Sequence, residues 1–425
     1  MNEQMMKYLT TNLLDSTTQH AYRPGNSCMT AWIELDTFIQ RSRNDNKVVV
    51  VGLTDQSAAF NVLQKDILLG KLELLGFSQS ARKLISNYLT DRQTMCTVNG
   101  STSGTIYLTS GVGEGSVLGP LLYTLGQICV SVVLDIVQEE MLQKHQDQVD
   151  TLSCEYADDV TGCAAVEDDE VAQRVTDLMM DQYHQYFTSC GLCLNPDKCA
   201  IMVIRPKAKT KEITWNGNPE VKKAKLLGVW LDSRYEFLDH VNHLVKVCSY
   251  KMSSIRKVAH WLTDKNLVDV VRSLVISHIT YCAEIYLRLK KVRDKVQKIL
   301  NSAARLALRR NRYANCETMM RDLDWLNINN RYRFLLVVSL RRILRTYKAY
   351  TTVYSLDTAS RSSIRTRTLK TTWKKKNKHF KESYLQAAVT NWNELKLGMK
   401  VFKNDDQFKS WCHVKIKHLY GNPNH

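Results

Sequence analysis

The chain has 425 residues, 44% of them hydrophobic, and a formal net charge of +17 with a pI near 9.3. That length holds a sizeable core in two or three structural units, and the hydrophobic fraction is ordinary for a globular protein. The basic excess points to a polyanionic partner, most simply nucleic acid, with a solvated basic surface as the plainer reading.

The opening stretch "MNEQMMKYLTTNLLDS" has no basic start followed by an apolar core, so no signal peptide is read. Twelve cysteines without framework spacing fit reduced thiols in an intracellular compartment, nuclear or cytoplasmic, and a protein that is not secreted. "KVVVVGLTD" reads as a continuous apolar strand ending at Asp55. Helical periodicity follows from Ser57 to Leu75, closed by Gly76. Ser116 to Leu134 is uncharged and long, but Gly119, Pro120, Gly126, Gln127 and Ser131 dilute it. A buried core helix is expected there, and no membrane partner.

In "CEYADDVTG", residues alternate on both sides of Asp158 and Asp159, which predicts a hairpin with the two carboxylates at its tip. A long helix is predicted from Asp169 to Cys190, with Val171, Val175, Met179 and Tyr183 at helical spacing. Cys190, Cys193 and Cys199 cluster, but no convincing fourth ligand is nearby, so no structural zinc is expected. "AKLLGVWLD" is a further strand candidate around Gly228, and after about His240 the pattern is almost wholly helical and strongly basic.

Two adjacent aspartates in a turn are commonly just solvated. The chemically interesting alternative is a metal site, which needs a third carboxylate from elsewhere in the fold. Asp55, at the end of an apolar strand and just before a helix, is the natural candidate, although alone it reads as a helix cap. Two divalent ions about 3.5–4 Å apart would need such a cluster, because carboxylates that close repel unless cations hold them.

Five ordered blocks decide between these readings. "TDQSAAFNVLQKDILLGKLELLG", "GVGEGSVLGPLLY", "YADD", "LNPDKC" and "KLLGVWLD" resemble, in order, the successive blocks of the reverse transcriptase of non-LTR retrotransposons. "QHAYRPGNS" upstream resembles that family's segment before the palm. "LDWLNINNR" and "AAVTNWNEL" resemble the helical segments after it. The resemblance implies an α+β fold: a right-hand polymerase palm, an antiparallel sheet packed with helices, followed by a mostly helical thumb and C-terminal region. It divides the chain into a fingers remnant (1–47), a palm (48–239), a helical thumb-like region (240–315) and a basic, mostly helical C-terminal region (316–425).

The activity it implies is RNA-directed DNA polymerisation, transferring a nucleotide from a dNTP to a DNA primer 3′-hydroxyl on an RNA template. Asp55, Asp158 and Asp159 are the implied ligands of two Mg²⁺ ions, with Mn²⁺ as a possible substitute. Lys198 is implied to stabilise or protonate the leaving pyrophosphate. Phe60, Tyr156, Ala157, Gly115 and Ser116 are the implied nucleotide-binding residues. Phe60 stands as a steric gate against the ribose 2′-hydroxyl, where an ordinary core aromatic is the plainer reading. Arg23, Gly228 in the primer-grip hairpin, and Lys374, Lys375 and Lys376 are the expected nucleic-acid contacts, the last three beside the interleaved aromatics Trp373 and Phe380.

The chain departs from the family's pattern at Gly113, Glu114, Asn61 and "LGQICV". The family's first finger blocks and endonuclease domain have no counterpart in it. An incomplete copy is therefore expected, and the alternative reading is a catalytically inactive remnant that only binds nucleic acid.

Overall fold

The computed structural model describes residues 1–56, 59–113, 115–206, 210–346, 354–357, 368–371, 383–395, 402 and 404–420. The chain is α+β and divides into two compact units, residues 1–31 with 46–222 and residues 32–45 with 223–425. The segment around Gly228 falls in the second unit, and the 1–47 segment is divided between the two.

In the first unit the valine run forms β1 (Val48–Thr54), buried at nearly every position as a central strand must be. The predicted helix from Ser57 to Leu75 is broken into α1 (Ala59–Val62) and α2 (Lys65–Leu74). The break has a tertiary cause. The carbonyls of Phe60 and Leu63 accept from Val112 and Gly111, both at 2.8 Å, instead of continuing a helix, and Leu63 is buried. The uncharged run is likewise two helices, α3 (Gly119–Gly126) and α4 (Val132–His145), with turns between them. Among the described residues no helix is long and apolar enough to cross a membrane.

The hairpin strands β2 (Asp150–Tyr156) and β3 (Asp159–Val166) lead into α5 (Asp169–Ser189), and β4 (Ala200–Ile204) completes an antiparallel sheet of order β2-β3-β1-β4. Asp168 caps α5 by accepting from the amides of Glu170 and Val171. The apolar stripe Val171, Val175, Met179 and Tyr183 then packs on Val50, Val160 and Ala164 of the sheet. Gly52 and Gly162 pair across β1 and β3, directly beneath that stripe. A Cβ on Gly52 would lie 2.7 Å from Met179 Cε, and one on Gly162 2.7 Å from the Tyr183 hydroxyl. The glycine pair is what lets the helix lie so close to the sheet.

The second unit begins its sheet content with a hairpin, β5 (Lys223–Leu226) and β6 (Val229–Asp232), closed by Leu227 and Gly228, the form that the resemblance implied where the apolar pattern alone read as a strand. The rest is largely helical, including α6 (Leu238–Val258) and α7 (Lys290–Ala307). Its polar centre is Asp36, wholly buried, which accepts from the Tyr235 hydroxyl at 2.8 Å, the Tyr384 amide at 3.0 Å and the Arg288 guanidinium at 3.2 Å. Burial pushes the Asp36 carboxyl above its usual range, and the Arg288 charge is the main influence opposing it.

Glu284 carries a testable pH dependence. It sits in the short helix Ala283–Tyr286, and burial raises its carboxyl from 4.5 to about 7. Between those values the folded chain holds a proton that the unfolded chain releases, so stability falls as pH rises from about 4.5 through about 7. Glu284→Gln removes that term. The variant is expected to outlast the parent chain at pH 8 by roughly 2–3 kcal/mol and to match it near pH 4, as read by denaturant melts at the two pH values.

Candidate active site at the end of the antiparallel sheet

The β2–β3 hairpin closes through a two-residue turn of Ala157 and Asp158, with Tyr156 paired to Asp159. Ala157 takes the left-handed conformation (φ +57°), which costs a residue with a Cβ about 1–2 kcal/mol. Asp55 follows β1, whose last pair is Thr54 with Val160, so it emerges abreast of Asp159 at the same end of the sheet. On its other side the chain returns through Leu194, bridged to Gln56. The Asn195 amide donates to the Asp55 carbonyl at 2.9 Å, and the Asp55 amide meets Cys199 Sγ at 3.4 Å. That loop turns on Asn195, which accepts from the amides of Asp197 and Lys198, and it sets Lys198 Nζ 3.6 Å from Asp55 Oδ1.

Asp55, Asp158, Asp159 and Lys198 are thus brought to one place. Asp159 keeps an exposed surface, yet protein atoms crowd its carboxyl. That crowding first, then the charges of Asp158 and Asp55, push it up from 3.8 to about 6. Three mutually repelling carboxylates suit hard divalent cations, which take oxygen donors. Among the described residues, however, no three His, Cys, Asp or Glu side chains are gathered closely enough to hold one ion.

The other expected residues are placed unequally. Phe60 is half-buried and stacks on Tyr123, with ring centroids 4.4 Å apart and planes 19° from parallel, so it belongs to the local core while keeping an open side. Gly115 has φ +74°, and the Ser116 hydroxyl accepts from the Gly119 amide at the start of α3. Glu114 lies outside the described residues. Arg23 is engaged locally: it pairs with Asp15 and donates to the carbonyls of Ser16 and Gln19. It still lines a cavity of about 480 Å³ together with Gln19, Tyr22, Ser116 and Pro120. Tyr22 is raised in pKa by partial burial and then by the charge of Asp158, so this segment reaches toward the hairpin tip. Gly228 is the φ +81° turn residue between β5 and β6 in the second unit, where Tyr281 donates to the neighbouring Leu227 carbonyl at 2.8 Å. Lys374, Lys375 and Lys376, with Trp373 and Phe380, lie outside the described residues.

Sequence reading missed what holds the tip. Three buried glutamines converge on it. The Ala157 amide donates to Gln19 Oε1 at 2.9 Å, and the Ala157 carbonyl accepts from Gln127 Nε2 at 2.5 Å and from Gln19 Nε2 at 3.3 Å. Gln56 Nε2 donates to the Asp158 carbonyl and to Gln127 Oε1, both at 3.1 Å, while the Tyr123 hydroxyl donates to Gln56 Oε1 at 2.7 Å. The available signal was a glutamine inside the otherwise apolar "LGQICV", where the chain leaves the family's pattern.

The profile of the family "Reverse transcriptase (RNA-dependent DNA polymerase)" matches residues 1–231. The chain is 24% identical over 319 residues to the probable RNA-directed DNA polymerase from transposon BS of Drosophila melanogaster, covering 72% of this chain and 34% of that protein. It is 26% identical over 174 residues to the Pol polyprotein from the type-1 retrotransposable element R2 of Popillia japonica (40% and 26%), and 24% identical over 241 residues to the RNA-directed DNA polymerase from mobile element jockey of Drosophila funebris (55% and 25%). The chain therefore spans between a quarter and about a third of these relatives. Among solved structures, apo telomerase from Candida tropicalis aligns over 83% of this chain and 60% of its own at 9% identity, with a TM-score of 0.38. A likeness that loose carries no further argument.

Proposed function

The chain belongs to the reverse transcriptase family, and from that premise we propose that it polymerises DNA on an RNA template, extending a DNA primer with dNTPs. The observation that carries the reading is that Asp55, Asp158 and Asp159 lie at the end of one sheet, where burial first, and then the charges of Asp158 and Asp55, raise Asp159 to about 6. A carboxyl so destabilised in its ionised form is suited to a cation, which would hold it deprotonated. Two Mg²⁺ ions bound by these aspartates, or Mn²⁺ in their place, would activate the primer 3′-hydroxyl and neutralise the triphosphate and the departing pyrophosphate.

The chain's own residues do the rest. Lys198, on the far side of Asp55, offers its ammonium to the pyrophosphate as negative charge develops there. The turn at Ala157 presents Asp158 and Asp159 side by side, and its glutamine clamp keeps them at fixed depth. Gly115, free of a Cβ, and Ser116 at the start of α3 leave a backbone that a nucleotide can approach closely.

Primer extension on an annealed RNA template is the test. Elongation by dNTPs that needs Mg²⁺ or Mn²⁺ is the expected result. Tight duplex binding with no elongation under either ion would sink the reading and leave a binding protein.

Phe60 gives a second test within the same assay. Its ring is fixed against Tyr123 and so makes a rigid wall rather than a mobile one. Phe60→Ala is expected to shift the dNTP/rNTP preference toward ribonucleotides by about 10–100-fold, the scale at which a pocket wall discriminates one hydroxyl. An unchanged preference would make Phe60 a core residue and nothing more.

A further inference from the structure

We propose that Lys71 and Cys190 form an oxidative modification site, at which hydrogen peroxide joins the Lys71 nitrogen to the Cys190 sulfur. Lys71 lies in α2, and Cys190 directly follows α5. Lys71 Nζ is 3.0 Å from Cys190 Sγ and 2.5 Å from the carbonyl of Gly126, the last residue of α3. The Tyr186 ring closes another side, its centroid 5.4 Å from the ammonium. Ile67, one turn before Lys71 on the same face of α2, meets the turn after α5. A Cβ on Gly191 would lie 3.1 Å from Ile67 Cδ1 and 2.7 Å from Gln64 Cγ. That packing holds nitrogen and sulfur together.

The plainer reading is a cation set against the C-termini of α3 and α5, where lysine is favoured. It accounts for the bond to Gly126 and leaves the sulfur unexplained. A lysine drawn out of water ordinarily pairs with a carboxylate. Among the described residues Lys71 takes the Gly126 carbonyl, the Tyr186 ring and the Cys190 thiol, with no carboxylate. A thiol is a weak acceptor, so the contact is worth little as a hydrogen bond. What it does is set a nucleophilic amine on an oxidisable sulfur at the separation of reacting atoms.

Burial decides what the sulfur does next. Cys190 is 1% exposed, which shields it from bulky reagents and leaves an isolated thiol inert. Hydrogen peroxide is little larger than water and reaches such sites during local opening. It oxidises the thiol to a sulfenic acid: an S–O bond forms, the peroxide O–O bond breaks, and one water leaves. The Lys71 ammonium gives one proton to solvent, and its nitrogen then attacks the sulfur. The S–N bond forms as the S–O bond breaks, and hydroxide takes a second proton from the nitrogen and leaves as water. One thiol, one amine and one peroxide thus give a sulfenamide and two waters, with sulfur oxidised by two electrons and the peroxide reduced. Bulky external thiols are kept from the sulfenic acid, whereas the amine already touches it, an advantage on the order of 10⁵–10⁸ M in effective concentration.

The test treats the reduced full chain with hydrogen peroxide and maps its tryptic peptides by mass spectrometry. The expected product joins the peptides holding Lys71 and Cys190 and is lighter than their sum by two hydrogens. It is uncut by trypsin at Lys71 and reopened by dithiothreitol in denaturant. The link closes a loop of about 120 residues, so treatment is also expected to raise the melting temperature of the parent by about 5 °C or more. Lys71→Arg keeps the charge on a far less nucleophilic nitrogen. Neither the link nor the shift is expected there, and dimedone added on unfolding traps Cys190 as the sulfenic acid. Oxidation confined to the exposed Cys96, Cys129 and Cys193, with Cys190 left as a thiol, would overturn the proposal. So would a disulfide at Cys190, or its passage to sulfinic acid with Lys71 free. The map of the parent chain decides the matter without any variant, and it does so whether or not the chain extends primers.

Discussion

Asp158→Asn is expected to abolish RNA-templated primer extension while leaving the fold and melting temperature close to those of the parent chain. Asn suits the turn, and the backbone carbonyl of residue 158 keeps its bond from Gln56 Nε2. What the change removes is one negative charge at the meeting point of three. Losing one ligand of a divalent ion forfeits several kcal/mol of charge stabilisation in phosphoryl transfer, and at about 1.4 kcal/mol per factor of ten the rate falls by about 10³ or more. The same substitution relieves Asp159, whose carboxyl is raised partly by the charge of Asp158. Its titration, followed by NMR, is expected to move down toward the ordinary carboxylate range. Near-parental extension by Asp158→Asn would mean that the hairpin tip is a solvated turn after all.

The aspartates were legible because their evidence is local. Alternation around Asp158 and Asp159 reports a hairpin, and the valine run reports the central strand that delivers Asp55. Adjacent strands of a sheet then do the assembling. Features that depend on a distant segment were not legible. The helix expected from Ser57 stops at Val62 because the carbonyls of Phe60 and Leu63 turn to Gly111 and Val112, about fifty residues away in the chain. The apolar pattern of "AKLLGVWLD" reads as one strand, and only the resemblance to a primer-grip hairpin implied the two-residue turn at Leu227 and Gly228, both with positive φ. Arg23, expected as a nucleic-acid contact, also pairs with Asp15, eight residues earlier, which its sequence neighbourhood does not announce.

Gln127→Leu is expected to lower the extension rate by about 10–100-fold without changing primer–template affinity. Leucine is close in size and fits the apolar run in which Gln127 lies, so the helical packing of α3 should survive. The polar clamp does not. The Ala157 carbonyl loses its shortest bond, and Gln56 loses one acceptor for its amide in a buried place. Each keeps a second partner, Gln19 Nε2 for the carbonyl and the Asp158 carbonyl for the Gln56 amide. The cost is therefore that of two lost hydrogen bonds at about 0.5–1.5 kcal/mol each, comparable to the strain of about 1–2 kcal/mol at which the left-handed residue is held. Asp158 and Asp159 ride on that residue, and misplacement by about 1 Å of groups far from the bond being made commonly costs about 10² in rate. Gln127 touches neither strand nor nucleotide in this reading. The loss should therefore appear in kcat, with KM for dNTP and the affinity for duplex nearly unchanged. A variant that merely unfolds would lose duplex binding and extension together, and circular dichroism separates that outcome. Should Gln127→Leu keep the parental kcat in a folded chain, the turn holds itself, and the three glutamines only fill the space behind it.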